Sequence, residues 1–496
     1  MLASLLAAAL PWTRAPLGEA AAPDAARRPN ILFILTDDMR ADDLRAMPIV
    51  GEHIAAAGAT FTNYLATTPL CSPSRASILR GQYAHNHGVL NNTGADGGYA
   101  TFYSRGNEAS TVATWLHDRG YRTALMGKYL NGYPETRKGV TDTAVPPGWD
   151  RWAAGMRHAP YGQFRYQLNE GGTVVSYGSS PADYLTDVLA EKAEAFVREA
   201  VADAAPFFLY LAPYAPHSPS IPAPRDAGAF ATEGALRVPS FNEADVSDKP
   251  AWVRDIPPRD ARAREIDEET QARLRTLLAV DEMTGRLIAA LAEAGALADT
   301  YVVFSSDNGV LLGEHRLSHG KRAAYEEVIR MPLLIRGPGV AAGTTVADVA
   351  LNIDLGPTFA DLAEATAAGF IDGRSLAPLL LRDGDFVERQ AGLVEGFPGS
   401  DDEEPRKEKN PPPPFAALRA RDFVYIEYAT GERELYDLRA DPYETENLAA
   451  LADPQALATL SQRLGELRRC RRDSCRAAET APLAAPSLPV PGAVGG

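Results

Sequence analysis

Ile31-Leu32-Phe33-Ile34-Leu35-Thr36-Asp37-Asp38 is an unbroken apolar run that ends in two carboxylates. It reads as a buried strand. Four further short runs have the same character: Arg122–Met126, Phe207–Leu211, Tyr301–Ser305 and Leu333–Arg336. Between them the apolar residues adopt a helical period, over Ala109–Arg119, Tyr184–Ala200 and Thr270–Ala294. In the last of these, Leu274, Leu277, Leu278, Leu287, Ile288 and Leu291 share one face. Buried strands alternating with amphipathic helices predict the α/β class with a largely parallel sheet.

Polar residues follow four of the strands directly. Asp37-Asp38 follow the first, Lys128 the second and Asp307-Asn308 the fourth, while His217 comes just past the third. Open α/β sheets bind ligands beyond the carboxyl ends of their strands, so four segments deliver chemistry to one edge. Asp37, Asp38, Asp307 and Asn308 are hard oxygen donors suited to Ca²⁺, with Mg²⁺ as the alternative. Asp37-Asp38 alone would read as turn or cap residues. Paired with Asp307-Asn308 they favour a cation, because crowded carboxylates resist ionising together. His217 sits in Ala215-Pro216-His217-Ser218-Pro219, where two prolines stiffen the loop.

The chain has 496 residues, 45% hydrophobic and 23% charged, with a formal net charge of -16. That balance excludes a general nucleic-acid binder and disfavours attraction of a long polyanion. No run is long and apolar enough to predict a transmembrane segment. Met1–Leu10 followed by Gly18–Ala22 resembles the apolar and small-residue parts of an export signal, without its basic start. The segment 1–28 is therefore expected to be a leader, and the protein to be secreted or in the cell envelope. Cys470 and Cys475 suggest one short-loop disulfide, the alternative being two exposed thiols. The composition changes after Leu381, and Gly399–Pro414 reads as an exposed loop. Phe423–Tyr428 and Glu434–Asp437 look like strands joined by a turn, with a helix over Pro454–Arg469. A catalytic domain over 29–385, a small α+β subdomain over 386–480 and a disordered tail over 481–496 are expected.

Cys71-Ser72-Pro73-Ser74-Arg75, continuing to Gly81, resembles the signature of the type I, formylglycine-dependent sulfatases. Alone, the pentapeptide reads equally well as a buried free cysteine before a proline turn. The resemblance extends from Pro29 to about Arg476. It includes Thr36-Asp37-Asp38, Ser306-Asp307-Asn308-Gly309, Gly320-Lys321-Arg322 ahead of Tyr325-Glu326-Glu327, and Glu434-Leu435-Tyr436-Asp437-Leu438. Gly127-Lys128-Tyr129-Leu130-Asn131, Tyr83–His87, Asp183–Asp187 and Ala215–Pro219 are similar to the N-acetylglucosamine-6-sulfatases and the extracellular heparan-sulfatase-like members. One departure stands out. Arylsulfatases carry a histidine two residues after the lysine, where this chain has Leu130. His85 and His87 remain as candidate bases for sulfate elimination, and each reads equally as an ordinary loop histidine.

The resemblance implies an alkaline-phosphatase-like large domain, with a mostly parallel sheet flanked by helices, and a C-terminal subdomain with a short antiparallel sheet. It implies that a maturation enzyme oxidises Cys71 to formylglycine, whose hydrate is the nucleophile. Asp37, Asp38, Cys71, Asp307 and Asn308 would hold the metal. Arg75 and Lys128 would fix the nucleophile, Asp307 would accept its proton, and His217 with Lys321 would serve the leaving oxygen. The substrate class would be a sulfate monoester, on a sulfated saccharide such as a 6-O-sulfated glucosamine or another small ester. The competing readings are a phosphodiesterase or phosphonate monoester hydrolase of the same superfamily, and a non-catalytic sulfoglycan-binding protein.

Overall fold

In the computed structural model, residues 28–134, 143–384, 386–399 and 411–483 are described. Alternate residues of the strand Asn30–Thr36 enter two different cores. Ile31, Phe33 and Leu35 join one core, and Leu32 and Ile34 the other. The strand Phe207–Ala212 divides in the same way, with Phe208 and Tyr210 opposed to Leu209 and Leu211. This is the period of two of a pleated strand with both faces covered. It explains why these runs are apolar throughout.

The central sheet has ten strands. They run in the order Thr344–Val346, Ala59–Phe61, Leu333–Arg336, Thr300–Ser306, Asn30–Thr36, Phe207–Ala212, Arg122–Gly127, Arg151–Gly155, Gln167–Glu170 and Thr173–Ser176. The middle, from Thr300–Ser306 to Arg151–Gly155, is parallel throughout. Gln167–Glu170 and Thr173–Ser176 are antiparallel additions at one flank. Leu333–Arg336 reads like the parallel strands but is antiparallel to both neighbours. Its connection from Ser306 contains only the one-turn helix Glu326–Ile329 and no crossover helix of the kind that a parallel return needs.

The helices Leu185–Ala202 and Ala263–Glu293 cover one face. Cys71–Arg80, Val112–Asp118 and Leu355–Leu362 cover the other. The long helix starts at Ala263 rather than Thr270. Its first turns are rich in Arg and Glu, so no apolar period announces them.

Toward the C-terminus, Ala391–Gly396, Phe415–Ala420, Phe423–Tyr428 and Arg433–Asp437 form an antiparallel sheet in that order. The sequence suggests only the last two strands. Ala391–Gly396 carries two glycines and Phe415–Ala420 three alanines, residues of weak strand preference that are held here by their partners. The helix Pro454–Leu467 is capped by the Asp453 side chain, and Cys470 and Cys475 are disulfide-bonded. Most of the expected leader, residues 400–410 of the expected loop, and the tail beyond residue 483 lie outside the described residues. Among the described residues no helix is long and apolar enough to cross a membrane.

Candidate active site

Parallel register brings the strand ends to one edge. Thr36 lies opposite Ser306, and Gly127 opposite Ala212. The Asp307 amide then donates to the Thr36 carbonyl at 3.2 Å, and the Asp37 amide to Ala215 at 3.2 Å. Asp38 takes a left-handed turn, with φ of 65°. Its amide donates to Asp307 Oδ1 at 3.1 Å. Gly127 has φ of 107°, and a Cβ there would lie 2.0 Å from the Ala212 oxygen. Only glycine permits the turn that leads Lys128 into the site.

Cys71 is the first residue of the helix Cys71–Arg80. Pro73 fits the first turn, where amides have no helical acceptor. Arg75 lies one turn on, on the same face as Cys71. Its Nε donates to Asp307 Oδ2 at 2.8 Å and its Nη1 to the Lys128 carbonyl at 3.0 Å. Arg75 therefore braces Asp307 and the lysine's backbone; it makes no direct bond to residue 71. Cys71 Sγ lies 3.4 Å from Asp37 Oδ1, 3.8 Å from Asp38 Oδ1 and 3.4 Å from Lys321 Nζ.

Each carboxylate has its own cation. Lys128 Nζ is 2.6 Å from Asp37, Lys321 Nζ is 2.7 Å from Asp38, and Arg75 Nε is 2.8 Å from Asp307. All six side chains are buried. Burial opposes charge on Asp38, but Lys321, His217 and Lys128 outweigh it and hold its carboxyl far below the usual range. Burial also opposes charge on Lys128, and Asp37 overrides it and raises the ammonium's pKa. Burial pushes the Cys71 thiol well up, against the pull of Lys128 and Lys321. Among these side chains an unmodified Cys71 thiol resists ionisation, which makes it a poor nucleophile.

His217 Nε2 is 3.5 Å from Asp38, while Nδ1 lies 2.7 Å from the Ser218 carbonyl. That carbonyl can only accept, which assigns the proton to Nδ1 and the lone pair to Nε2. Burial drives the imidazole down to about 3 despite Asp38. A neutral ring with a free Nε2 accepts a proton and does not donate one there. Asp307 has both oxygens engaged: Oδ1 accepts from the Asp38 and Asn308 amides, and Oδ2 from Arg75. The carboxylate oxygen nearest residue 71 belongs to Asp37.

Asp37, Asp38, Cys71 and His217 bring ligand atoms within 4.8 Å of one another. Asn308 Nδ2 donates to Asp38 Oδ1 at 2.8 Å, while its buried Oδ1 has no hydrogen-bond partner. An orphaned amide oxygen among three carboxylates fits a hard divalent cation.

The histidines suggested for sulfate elimination are occupied elsewhere. His85 Nδ1 faces Glu395 at 2.6 Å and Nε2 the Cys470 carbonyl at 3.1 Å. His87 Nε2 meets Ser77 Oγ at 3.0 Å, and its Nδ1 accepts from the Val89 amide at 3.1 Å. Leu130 is buried in the apolar core. Tyr161 gives no signal in the sequence, yet it joins the site. Its ring lies 4.5 Å from that of His217 and 5.1 Å from Lys128 Nζ, and its hydroxyl accepts from Asn131 Nδ2 at 3.3 Å. Asn131 in turn bonds Ser72, the neighbour of Cys71.

Comparison with known proteins identifies the family. The sulfatase family model matches residues 29–365, and that of the N-sulphoglucosamine sulphohydrolase C-terminal region matches residues 313–470. An arylsulfatase of Volvox carteri is 36% identical over 92% of this chain and 78% of its own length. The N-acetylglucosamine-6-sulfatase of Homo sapiens is 33% identical over 91% of this chain and 86% of its own. A solved structure in complex with its substrate D-glucosamine-2-N,6-O-disulfate superposes with a TM-score of 0.71, at 26% identity, covering 91% of this chain and 99% of that one.

Proposed function

The chain belongs to the sulfatase family and is a sulfuric ester hydrolase, and from that premise we propose that it releases sulfate from a 6-O-sulfated glucosamine or a close relative, with formylglycine at position 71 and a divalent cation on Asp37, Asp38, Asp307 and Asn308. One observation carries the reading. Three buried carboxylates meet three buried cations, one pair each, so the protein's own groups leave the pocket neutral. Asp37, Asp38, Asp307 and Asn308 would hold a Ca²⁺ or Mg²⁺, which would supply the positive excess that a sulfate ester needs. The pocket would then attract an anion although the whole chain carries -16.

Hydrated formylglycine would supply one hydroxyl for attack on sulfur, its proton passing to Asp37, whose oxygen lies 3.4 Å from the Cys71 sulfur, and a second hydroxyl whose loss of a proton would expel sulfate and restore the aldehyde. The remaining roles belong to the chain's own side chains. Lys128 fixes Asp37, and Arg75 fixes Asp307. Lys321, 3.4 Å from the Cys71 sulfur, is placed to meet the ester's oxygens and to donate to the leaving alcohol. His217 Nε2 takes the part that the sequence left to His85 or His87, accepting the proton when sulfate is expelled.

Cys71 is wholly buried. A maturation enzyme must therefore meet the segment 71–75 before the chain closes over it. The Cys470–Cys475 disulfide supports an oxidising, extracytoplasmic location. The sugar assignment rests on the solved relative's bound disulfated glucosamine and on the human 6-sulfatase. The test is sulfate release by the matured protein from glucosamine 6-sulfate, N-acetylglucosamine 6-sulfate and galactose 6-sulfate, beside an aryl sulfate and an aryl phosphonate. Fastest turnover of a glucosamine 6-sulfate is expected. Faster cleavage of the phosphonate would make this a phosphonate hydrolase, and sugar binding with no sulfate released would make it a binding protein.

A further inference from the structure

A second group of donors converges outside the active site. His315, Glu327 and Glu444 each bring a ligand atom within 4.8 Å of the others. In each, one atom is buried without a hydrogen-bond partner: His315 Nε2, Glu327 Oε2 and Glu444 Oε1. The opposite atom of each side chain is already held. His315 Nδ1 faces Glu243 Oε2 at 2.7 Å, so the carboxylate takes the Nδ1 proton and leaves the lone pair on Nε2. The ring is packed on Tyr325, centroids 4.0 Å apart. Glu444 Oε2 accepts from the Glu326 amide at 2.8 Å, and Glu327 Oε1 from Ser240 Oγ at 3.3 Å.

The acids around this cluster have cations. Glu314 pairs with Arg40 at 2.7 Å, Glu243 with Lys249 at 3.3 Å and Glu326 with Arg419 at 2.7 Å. Glu327 and Glu444 have no ion-pair partner among the described residues. His315 and Glu444 are 0% exposed. Three unsatisfied polar atoms on side chains that converge in the interior are costly unless something joins them. A single imidazole backed by a carboxylate, with two more carboxylates, is the donor set of a borderline divalent ion rather than of Ca²⁺.

We propose that His315, Glu327 and Glu444 form a second metal site, separate from the catalytic one, for a Zn²⁺-class divalent ion. Glu327 is only half-buried and gives the ion its entry. The site would tie the segment that carries Lys321, between His315 and Glu327, to Glu444 beside the C-terminal sheet. Its role is structural: it fixes the base of the loop that presents the active-site lysine.

The test uses the full-length protein, stripped by a chelator, reloaded with Ca²⁺ and then titrated with Zn²⁺, with bound metal counted after gel filtration. One zinc per chain beyond the calcium is expected, together with a higher Tm. Zinc should be retained by Asp37→Asn and lost in His315→Gln, Glu327→Gln and Glu444→Gln. Absorption spectroscopy at the zinc edge of the wild-type protein should find one imidazole and carboxylate oxygens at about 2.0–2.2 Å. This readout stands even where a variant fails to fold. No zinc on the calcium-loaded protein, as when the two glutamates share a proton instead, would overturn the proposal. So would zinc content unchanged by His315→Gln, or zinc found only at Asp37-Asp38.

Discussion

Two buried acidic clusters lie at the two ends of the segment from Asp307 to Glu327, and they are built in opposite ways. At Asp37, Asp38 and Asp307 every carboxylate is matched by a lysine or arginine within 2.8 Å. At Glu327 and Glu444 no cation is within pairing distance among the described residues, and the nearest donor set is completed by a neutral imidazole. The difference reflects what each cluster must meet. A pocket that receives an anion needs its own cations, so that a metal leaves it positive. A cluster that serves only to join two parts of the chain leaves its charge for an ion to satisfy.

The largest effect should come from the centre of the matched cluster. Cys71→Ala should lower sulfate release by at least about 10³-fold while leaving the Tm unchanged, because removing a nucleophile takes away the reaction and not the fold. Substantial residual turnover would move the chemistry elsewhere. Lys321→Met should come next. It unpairs Asp38 and removes the cation nearest residue 71, so kcat should fall by about 10²–10³-fold, as for loss of one charge-stabilising donor. A change in KM alone would reduce Lys321 to a binding contact.

Smaller changes sharpen the picture. Tyr161→Phe keeps the ring against His217 and Lys128 and removes only the hydroxyl that meets Asn131. A loss in kcat/KM of about 10-fold or less is expected, the worth of one hydrogen bond. Tyr161→Ala should cost more. If the two variants lose equally, the hydroxyl and not the ring positions the lysine.

The smallest effect concerns pH and stability at the junction with the C-terminal sheet. Burial lowers His85, but its bond and charge contact with Glu395 win and raise it above its ordinary 6.5. A raised folded value means that the pair stabilises fully below pH 6.5, and that its contribution fades as pH climbs through the raised value. Wild-type stability should thus fall more steeply than that of His85→Gln as pH rises from 6.5 through the raised value, as read by urea melts. Parallel pH profiles for the two proteins would remove His85 from the account.

Much of the matched cluster is legible in the sequence, because its donors sit directly after strands whose apolar runs are easy to read. Asp37, Lys128 and Asp307 are placed by strand period alone. Tyr161 is not, since it sits in a short turn with no period and reaches the site only through packing. Arg75 is visible as a cation, but its partner, Asp307 rather than residue 71, depends on the helix orientation. His315, Glu327 and Glu444 meet only when the C-terminal sheet docks, so sequence spacing carries no trace of their meeting. The same holds for the antiparallel run of Leu333–Arg336 and for the Ala- and Gly-rich strands of the small sheet. Their direction and pairing are decided by neighbours rather than by their own residues.

In the proposed mechanism residue 71, once oxidised, performs the reaction within the charge-matched pocket. The direct measurement follows one set of preparations, made with and without the maturation enzyme. The tryptic peptide Ala46–Arg75 is weighed in each to obtain the formylglycine fraction, and sulfate release is assayed on the same samples. A rate proportional to that fraction is expected, falling to zero where position 71 is wholly cysteine. Equal turnover by the cysteine form would contradict it.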